Sequence, residues 1–347
     1  MEQFKGAILT ICIPTYNMGQ ELVETLKKIV LSQDNRFRII VLDNKSTDES
    51  YSCINTIKNE KLKIIQNNIN IGATGNYLKC LSLSDTEYCL LLLDKDIIEI
   101  DRISSFINFL IDQKPAYGYI RLNSTKSKLV FSKYRSGGQA IRKLSYLGKH
   151  PTGYFYKTTL FCESANDSDY LRLNPSFPFP FEILNSYIGE RFDGFIVDYN
   201  LLDMRPRELN KKKSASYNKS NLYFYPVELY KQFRAYLLNL NTLRISQFQK
   251  NVISTFIVAK FMQQVSFLYR ENMKDEYVCN HYYIQPKKVT NKEMMLNIRD
   301  LFDLYKRVLD EIDSLKLFYY INLIIAVLLF IENFFLDKIR KFLELIK

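Results

Sequence analysis

Strand-like and helix-like segments alternate from the start of this chain, and that alternation restricts its fold more than any other feature. Ala7-Ile-Leu-Thr-Ile-Cys-Ile13 is an apolar run that stops at Pro14. From Gly19 to Leu31 the apolar residues Leu22, Val23, Leu26, Ile29 and Val30 recur at helical spacing. Phe37 to Leu42 reads as a second strand ending at Asp43, Leu62 to Gln66 as a third, and Gly72 to Leu83 as a helix. Tyr88-Cys-Leu-Leu-Leu-Leu-Leu93 is a fourth strand, apolar enough to be buried on both faces, as parallel strands between helix layers are. Strands joined through helices at this spacing predict a parallel α/β sheet. Ser46-Thr-Asp-Glu49 carries the residues of a capping box, with Ser46 as N-cap of a helix after the second strand.

Ligands of such sheets bind outside the carboxyl ends of the strands. Four polar clusters fall there: Thr15-Tyr16-Asn17, Asp43-Asn44, Asn70-Ile71-Gly72 and Asp94-Lys95-Asp96. The last places two carboxylates at the end of the most apolar strand. Hard oxygen ligands in that position suit a divalent cation, and the cation in turn suits a diphosphate.

These segments resemble the motifs of family 2 glycosyltransferases. Ile11-Cys-Ile-Pro-Thr-Tyr-Asn17 resembles the opening strand and loop of the family, and Val41-Leu-Asp-Asn-Lys-Ser-Thr-Asp48 its second strand end. Asn70-Ile-Gly-Ala-Thr-Gly-Asn76 and Asp94-Lys95-Asp96 match its next two motifs. The resemblance covers roughly residues 7–115 and weakens towards 205. It implies a GT-A fold and inverting transfer of a sugar from a nucleotide-diphosphate donor to a saccharide, of the bacterial surface-polysaccharide type. By the same resemblance Pro14, Thr15, Tyr16 and Asn17 line the nucleotide pocket. Asp43 accepts from a base N–H, commonly uracil, which makes a UDP-sugar the expected donor; the plainer reading is a strand-end turn residue. Asn44, Ser46, Asn70 and Asn76 surround that pocket, Gly72 lets the backbone approach the donor, and Ser46 serves equally as a helix cap. Asp94 faces the ribose and sugar, Asp96 binds Mn²⁺ or Mg²⁺ with Asp94 as its partner, and Lys95 either points away or lies beside the diphosphate. Gly75 stands where the family often has Arg.

Inverting transfer needs a general base for the acceptor hydroxyl. The family places a carboxylate well downstream of the D-x-D, and Glu182 in Phe179-Pro-Phe-Glu-Ile183 falls there. Asp167 and Asp169 compete with it, Asp193 more weakly, and Glu182 also suits the first turn of a helix opened by Pro180. His150, Thr152 and Gly153 resemble the segment lining the sugar and acceptor side.

The basic segment Arg205-Pro-Arg-Glu-Leu-Asn-Lys-Lys-Lys-Ser214 marks a change of character. We expect a catalytic domain at 1–205, a basic linker at 206–221 and a helical region at 222–347. Leu317 to Ile331 is apolar apart from Asn322, shorter than the roughly 20 residues of a membrane-spanning helix. An apolar stripe of Phe334, Phe335, Leu336, Ile339, Phe342, Leu343, Leu345 and Ile346 follows, interleaved with Lys338, Arg340, Lys341 and Lys347. This pattern fits a helix lying in a membrane interface, or an oligomer contact. The net charge of +11 suits an anionic surface. Nucleic-acid binding is disfavoured, because no recognised module is visible and the strand ends are acidic. Six cysteines without a C-x-x-C pair read as reduced thiols, and the N-terminus has no apolar leader. The expected setting is therefore cytoplasmic and peripheral on the inner membrane face, with a lipid-linked saccharide as acceptor. Two rivals stand beside this reading. A nucleotidyltransferase would need a Gly-rich loop where Pro14-Thr-Tyr-Asn17 stands. A catalytically silent GT-A scaffold is consistent with Gly75.

Overall fold

The structure, a computed structural model, describes residues 6–167, 177–204, 222–312, 320, 321, 323–325, 327, 328, 330 and 331. It divides into two units, Met1–Ser216 and Tyr217–Lys347.

The first unit is built from β1 (Leu9–Thr15), α1 (Gly19–Val30), β2 (Phe37–Asp43), α2 (Ser50–Ile54), β3 (Leu62–Gln66), α3 (Gly72–Ser82) and β4 (Tyr88–Leu91). There follow β5 (Ile97–Ile98), α4 (Ile103–Gln113), β6 (Tyr117–Ile120), β7 (Val130–Tyr134), α5 (Gly138–Leu144), β8 (Tyr154–Lys157), α6 (Thr158–Asp167), α7 (Pro180–Arg191), β9 (Gly194–Asp198) and β10 (Leu202–Asp203). The main sheet has the order β3-β2-β1-β4-β8-β6-β9-β7. β1 pairs in parallel with β2 and β4, β2 with β3, and β6 with β9. Only β8 and β7 run against their neighbours, so the sheet is mixed but mostly parallel.

The first strand differs from expectation in one respect: it continues through Pro14 to Thr15. The ladder from β1 to β4 ends at Cys12↔Leu91. The carbonyl of Thr15 accepts from Asn44 N on the β2 side, so the Pro14 nitrogen faces the β4 side beyond that ladder. Its missing N–H therefore breaks no strand pairing. Every residue of β1 is buried. Leu9, Ile11 and Ile13 point into one core with Leu22, Leu26 and Ile29 of α1 and Phe106 and Leu110 of α4. The period of two along the strand and the helical period in α1 and α4 give both layers a continuous apolar face.

The expected capping box is absent. The helix starts at Ser50, with Glu49 in the N-cap position and no side-chain cap. The Ser46 hydroxyl is held by Asp43 instead.

The second unit is helical: α8 (Pro226–Thr242), α9 (Gln247–Gln263), a π turn (Gln264–Leu268), α10 (Tyr269–Lys274), α11 (Glu276–His281) and α12 (Asn291–Glu311). Ser246 and Gln249 form a reciprocal capping box at the start of α9, and Thr290 caps α12. Phe233 packs against the rings of Phe261 and Tyr305 at 5.3 and 5.9 Å. Among the described residues, one continuous helix, Gln247–Lys274, is long and apolar enough to cross a membrane, with mean hydropathy 1.3. Its apolar window is 61% buried within the protein, as in a core helix. Tyr320, Ile321, Ile324, Ile325, Leu328 and Ile331 are exposed and recur at helical spacing. The basic segment 205–214 and the stripe from 334 onward lie outside the described residues.

Candidate active site

From β1 the chain steps outward to β2 and β3, and α3 then returns it to β4 on the other side of β1. This reversal opens a crevice at the carboxyl ends of β1 and β4, the position where open α/β sheets bind ligands. All four polar clusters meet there through direct contacts. Asn17 N donates to Ser46 Oγ at 2.9 Å, and its side chain pairs with Thr47. Asn44 reaches Thr15 through its backbone and Asn70 through its side chain. The carboxyl of Asp94 lies beside Thr15 and Tyr16.

Asp43 is fully buried and heavily engaged. It accepts from the Ser46 hydroxyl, from Ser46 N at 3.0 Å and from Gln66 Nε2 at 2.9 Å. This fixes the turn after β2, in which Lys45 takes a positive φ of 61°. Three of roughly four lone-pair directions are thus filled from within the protein.

The asparagines form a network. Asn44 Nδ2 donates to Asn70 Oδ1 and Gly72 O, while its Oδ1 accepts from Asn67 Nδ2 and Ile71 N. Asn67 also donates to Asn76 Oδ1 at 2.9 Å, and Asn76 Nδ2 returns to Leu42 O at 3.1 Å. The side chains of Asn44, Asn70 and Asn76 therefore tie the loops after β2 and β3 to α3. Gly72, with φ of 77°, supplies the turn into that helix. Asn67 and Gln66 were not legible as site residues, because neither falls in a motif. Lys79, one turn beyond Gly75, is committed to Asn67 Oδ1 at 2.7 Å.

The D-x-D is held from the opposite side by the segment before β8. Thr152, fully buried, donates its hydroxyl to Asp96 Oδ2 and accepts from Leu93 N at 3.0 Å. Gly153 N donates to Leu91 O at 2.9 Å, and its φ of 100° is open only to glycine without strain. A Cβ there would lie 2.6 Å from Ile120 O. His150 Nδ1 lies 3.5 Å from Asp96 Oδ2. This is not an ion pair: burial, aided by the charge of Lys95, lowers the imidazole pKa to about 4, and Nδ1 accepts from Thr152 N. The imidazole is thus neutral at pH 7 with its proton on Nε2. Burial raises the carboxyl pKa of Asp94, opposed by the Thr15 hydroxyl and the Lys95 charge.

Glu182 lies in the first turn of α7 behind Pro180, as the second of its two readings had it. Its carboxylate is 1% exposed. Oε2 accepts from Leu147 N at 2.6 Å, and Oε1 accepts from Lys149 N at 3.1 Å and Tyr154 Oη at 3.2 Å. The carboxylate expected as general base is committed to the loop before β8. Asp167 ends α6, Asp169 lies outside the described residues, and Asp193 sits at the start of β9 bonded to Lys133 and Ser136 N. That position is at the opposite end of the sheet strands from the D-x-D.

Among the described residues no three His, Cys, Asp or Glu side chains are grouped to hold a metal by themselves. Asp94 and Asp96 nevertheless fit a hard cation, since Mg²⁺-type sites use one or two carboxylates and take further oxygens from a phosphate ligand.

Comparison with known proteins agrees with this geometry. The model of Glycosyl transferase family 2 matches residues 10–167. The glucosyltransferase WfaP of Escherichia coli is 28% identical over 112 residues, covering 32% of this chain and 45% of its own length. The abequosyltransferase RfbV of Salmonella typhimurium is 30% identical over 117 residues, covering 32% and 34%. The match thus spans less than half the length of these curated relatives. S. aureus TarS 1-349, solved with UDP-GlcNAc, superposes with a TM-score of 0.52 at 14% identity, covering 86% of this chain and 92% of its own. The whole of TarS gives 0.55 at 15% identity, covering 93% and 54%. The sheet order, the strand-end site and these likenesses agree on a GT-A fold with a helical C-terminal region, and residues 10–167 are similar to glycosyl transferase family 2.

Proposed function

We propose that the protein is a metal-dependent inverting glycosyltransferase that moves a sugar from a UDP-sugar to a lipid-linked saccharide in surface polysaccharide synthesis. The observation that carries this reading is the meeting of four strand-end segments around Asp94-Lys95-Asp96 in the β1/β4 crevice. The name of WfaP specifies UDP-Glc as donor and a GlcNAc-diphosphoundecaprenol as acceptor, which supports both choices.

Pro14 to Asn17 form one wall of the nucleotide site, and Asp43 supports it by holding the Ser46 turn, whose hydroxyl accepts from Asn17 N. Asp94 and Asp96 hold Mn²⁺ or Mg²⁺, which when bound offsets charge on the diphosphate leaving group. Lys95 adds a positive charge beside it. Thr152 fixes the direction of the Asp96 carboxylate. His150, neutral and partly exposed, offers an Nε2–H donor to the sugar side. With Glu182 committed elsewhere, Asp167 and Asp169 are the remaining candidates for the base that takes the acceptor proton. The exposed apolar stripe at 320–331 and the net charge of +11 support a peripheral contact with an anionic membrane, where such an acceptor resides.

The test is transfer by purified protein from UDP-sugars to GlcNAc-diphosphoundecaprenol in vesicles, with Mn²⁺ or Mg²⁺. The expected product is a glycoside of inverted anomeric configuration, formed only with metal. No transfer from any UDP-, GDP-, CDP- or dTDP-sugar, and no donor hydrolysis, would favour a silent scaffold.

A further inference from the structure

We propose that Glu182 is a positioning residue for the D-x-D carboxylate rather than the base. The proposal rests on the glycosyltransferase reading and extends it to a residue that does not touch substrate.

A general base must bring a free lone pair within hydrogen-bond reach of the acceptor hydroxyl. Glu182 offers little: both oxygens are buried and three donors converge on them, two being backbone amides. The loop is shaped to make those bonds. Tyr146 and Gly148 take positive φ values of 58° and 59°, a turn that aims the amides of Leu147 and Lys149 at one point. Asn185, one turn after Glu182, holds the start of the same loop by donating to Leu144 O at 3.1 Å. Its own Oδ1 accepts from Tyr156 Oη at 2.9 Å. The first turns of α7 therefore clamp both ends of the segment between α5 and His150.

Only His150 and Pro151 separate Lys149, the end of this clamp, from Thr152, and proline fixes its own φ. Thr152 then bonds both the Asp96 carboxylate and the Leu93 amide at the end of β4. The path runs from Glu182 through two amides and a short stiff loop to Thr152 and Asp96. If Glu182 is released, the loop is free to shift, and Asp96 loses the hydroxyl that orients it.

Glutamine at 182 retains size but turns one acceptor into a donor facing a backbone N–H. The experiment measures UDP affinity with Mn²⁺ by calorimetry, together with kcat and its pH dependence. The proteins are wild type, Glu182→Gln, Thr152→Val, Thr152→Ser and the Glu182→Gln/Thr152→Val pair. Positioning predicts that Glu182→Gln and Thr152→Val each weaken UDP–Mn²⁺ binding on the order of tenfold, the scale of one lost hydrogen bond to a charged group. Thr152→Ser, which keeps the hydroxyl, restores binding. The double variant binds no worse than Thr152→Val alone, since both act along one path. The acid limb of the pH–rate profile persists in Glu182→Gln.

Wild-type affinity in Glu182→Gln, with kcat down by about 10²-fold or more and the acid limb lost, is the signature of a base and overturns the proposal. Independent, additive effects of the two substitutions overturn the path through Thr152. If Glu182→Gln does not fold, unchanged affinity in Thr152→Val alone does so. A wild-type protein that binds no nucleotide overturns the glycosyltransferase reading itself, a failure separable from the others because it needs no variant.

Discussion

Asn76→Asp should open the N-terminal unit with almost no change in side-chain size. Asn76 is 3% exposed and uses both ends of its amide. Its Nδ2 donates to Leu42 O at 3.1 Å, and its Oδ1 accepts from Asn67 Nδ2 at 2.9 Å. A carboxylate keeps the second bond but puts an oxygen against the Leu42 carbonyl. The lost bond costs about 1 kcal/mol, and the facing, unsatisfied acceptors add about 1–3 kcal/mol, for a total of about 2–4 kcal/mol. The assay is labelling of Cys12, Cys80 and Cys89, which are fully buried and react only when this unit opens. At about 1.4 kcal/mol per factor of ten, labelling should quicken by roughly thirty- to several-hundred-fold at pH 8. The introduced carboxyl can donate to Leu42 O only when protonated, so its folded pKa is raised above the unfolded one. The stability of this variant relative to wild type is therefore best at low pH and is lost as pH rises through the folded pKa. Labelling within about twofold of wild type at pH 8 would refute the network as the element that fixes these loops.

Gly153→Ala should destabilise by at least about 2 kcal/mol, from a left-handed φ and a Cβ 2.6 Å from Ile120 O, read as a lower urea midpoint. Asp34, bonded to Arg36 and Ser104, has its carboxyl pKa pulled well below the usual range by the guanidinium. Its contribution is present above the unfolded carboxylate pKa and is lost as pH falls through the depressed folded value. Asp34→Asn should accordingly show a shallower loss of thermal stability on acidification below about pH 4 than wild type. Addition of a chelator should remove nucleotide binding while leaving the melting temperature of the ligand-free protein unchanged, because the strand-end loops are held by hydrogen bonds within the protein.

The framework of the first unit was legible because buried parallel strands are long apolar runs and their helices keep a clear period. Leu62–Gln66 and the start of α3 at Gly72 follow from that pattern directly. The strand ends were legible as a site because alternation alone puts them at one edge. What sequence could not supply was the occupancy of each polar side chain. Ser46 carries the residues of a cap, yet Asp43, three positions earlier, takes its hydroxyl to close the turn. Glu182 follows Pro180 as a first-turn carboxylate does, but its partners lie 33 and 35 residues earlier in the chain. Asn67 is invisible for the same reason: its importance comes from Asn44, Asn76 and Lys79 meeting it in space. The strands after β4 enter the sheet out of chain order, which no local period records.

The central claim is that the β1/β4 crevice holds a nucleoside diphosphate through a metal on Asp96. Its most direct test is a thermal-shift measurement with UDP, GDP, CDP and dTDP, each with and without Mn²⁺, on wild type and Asp96→Asn. Asparagine keeps an acceptor for Thr152, so the fold is retained while a metal-binding charge is removed. Wild type should be stabilised by UDP only when Mn²⁺ is present, and Asp96→Asn not at all. Equal stabilisation of both proteins, or none of wild type by any nucleotide, would contradict it.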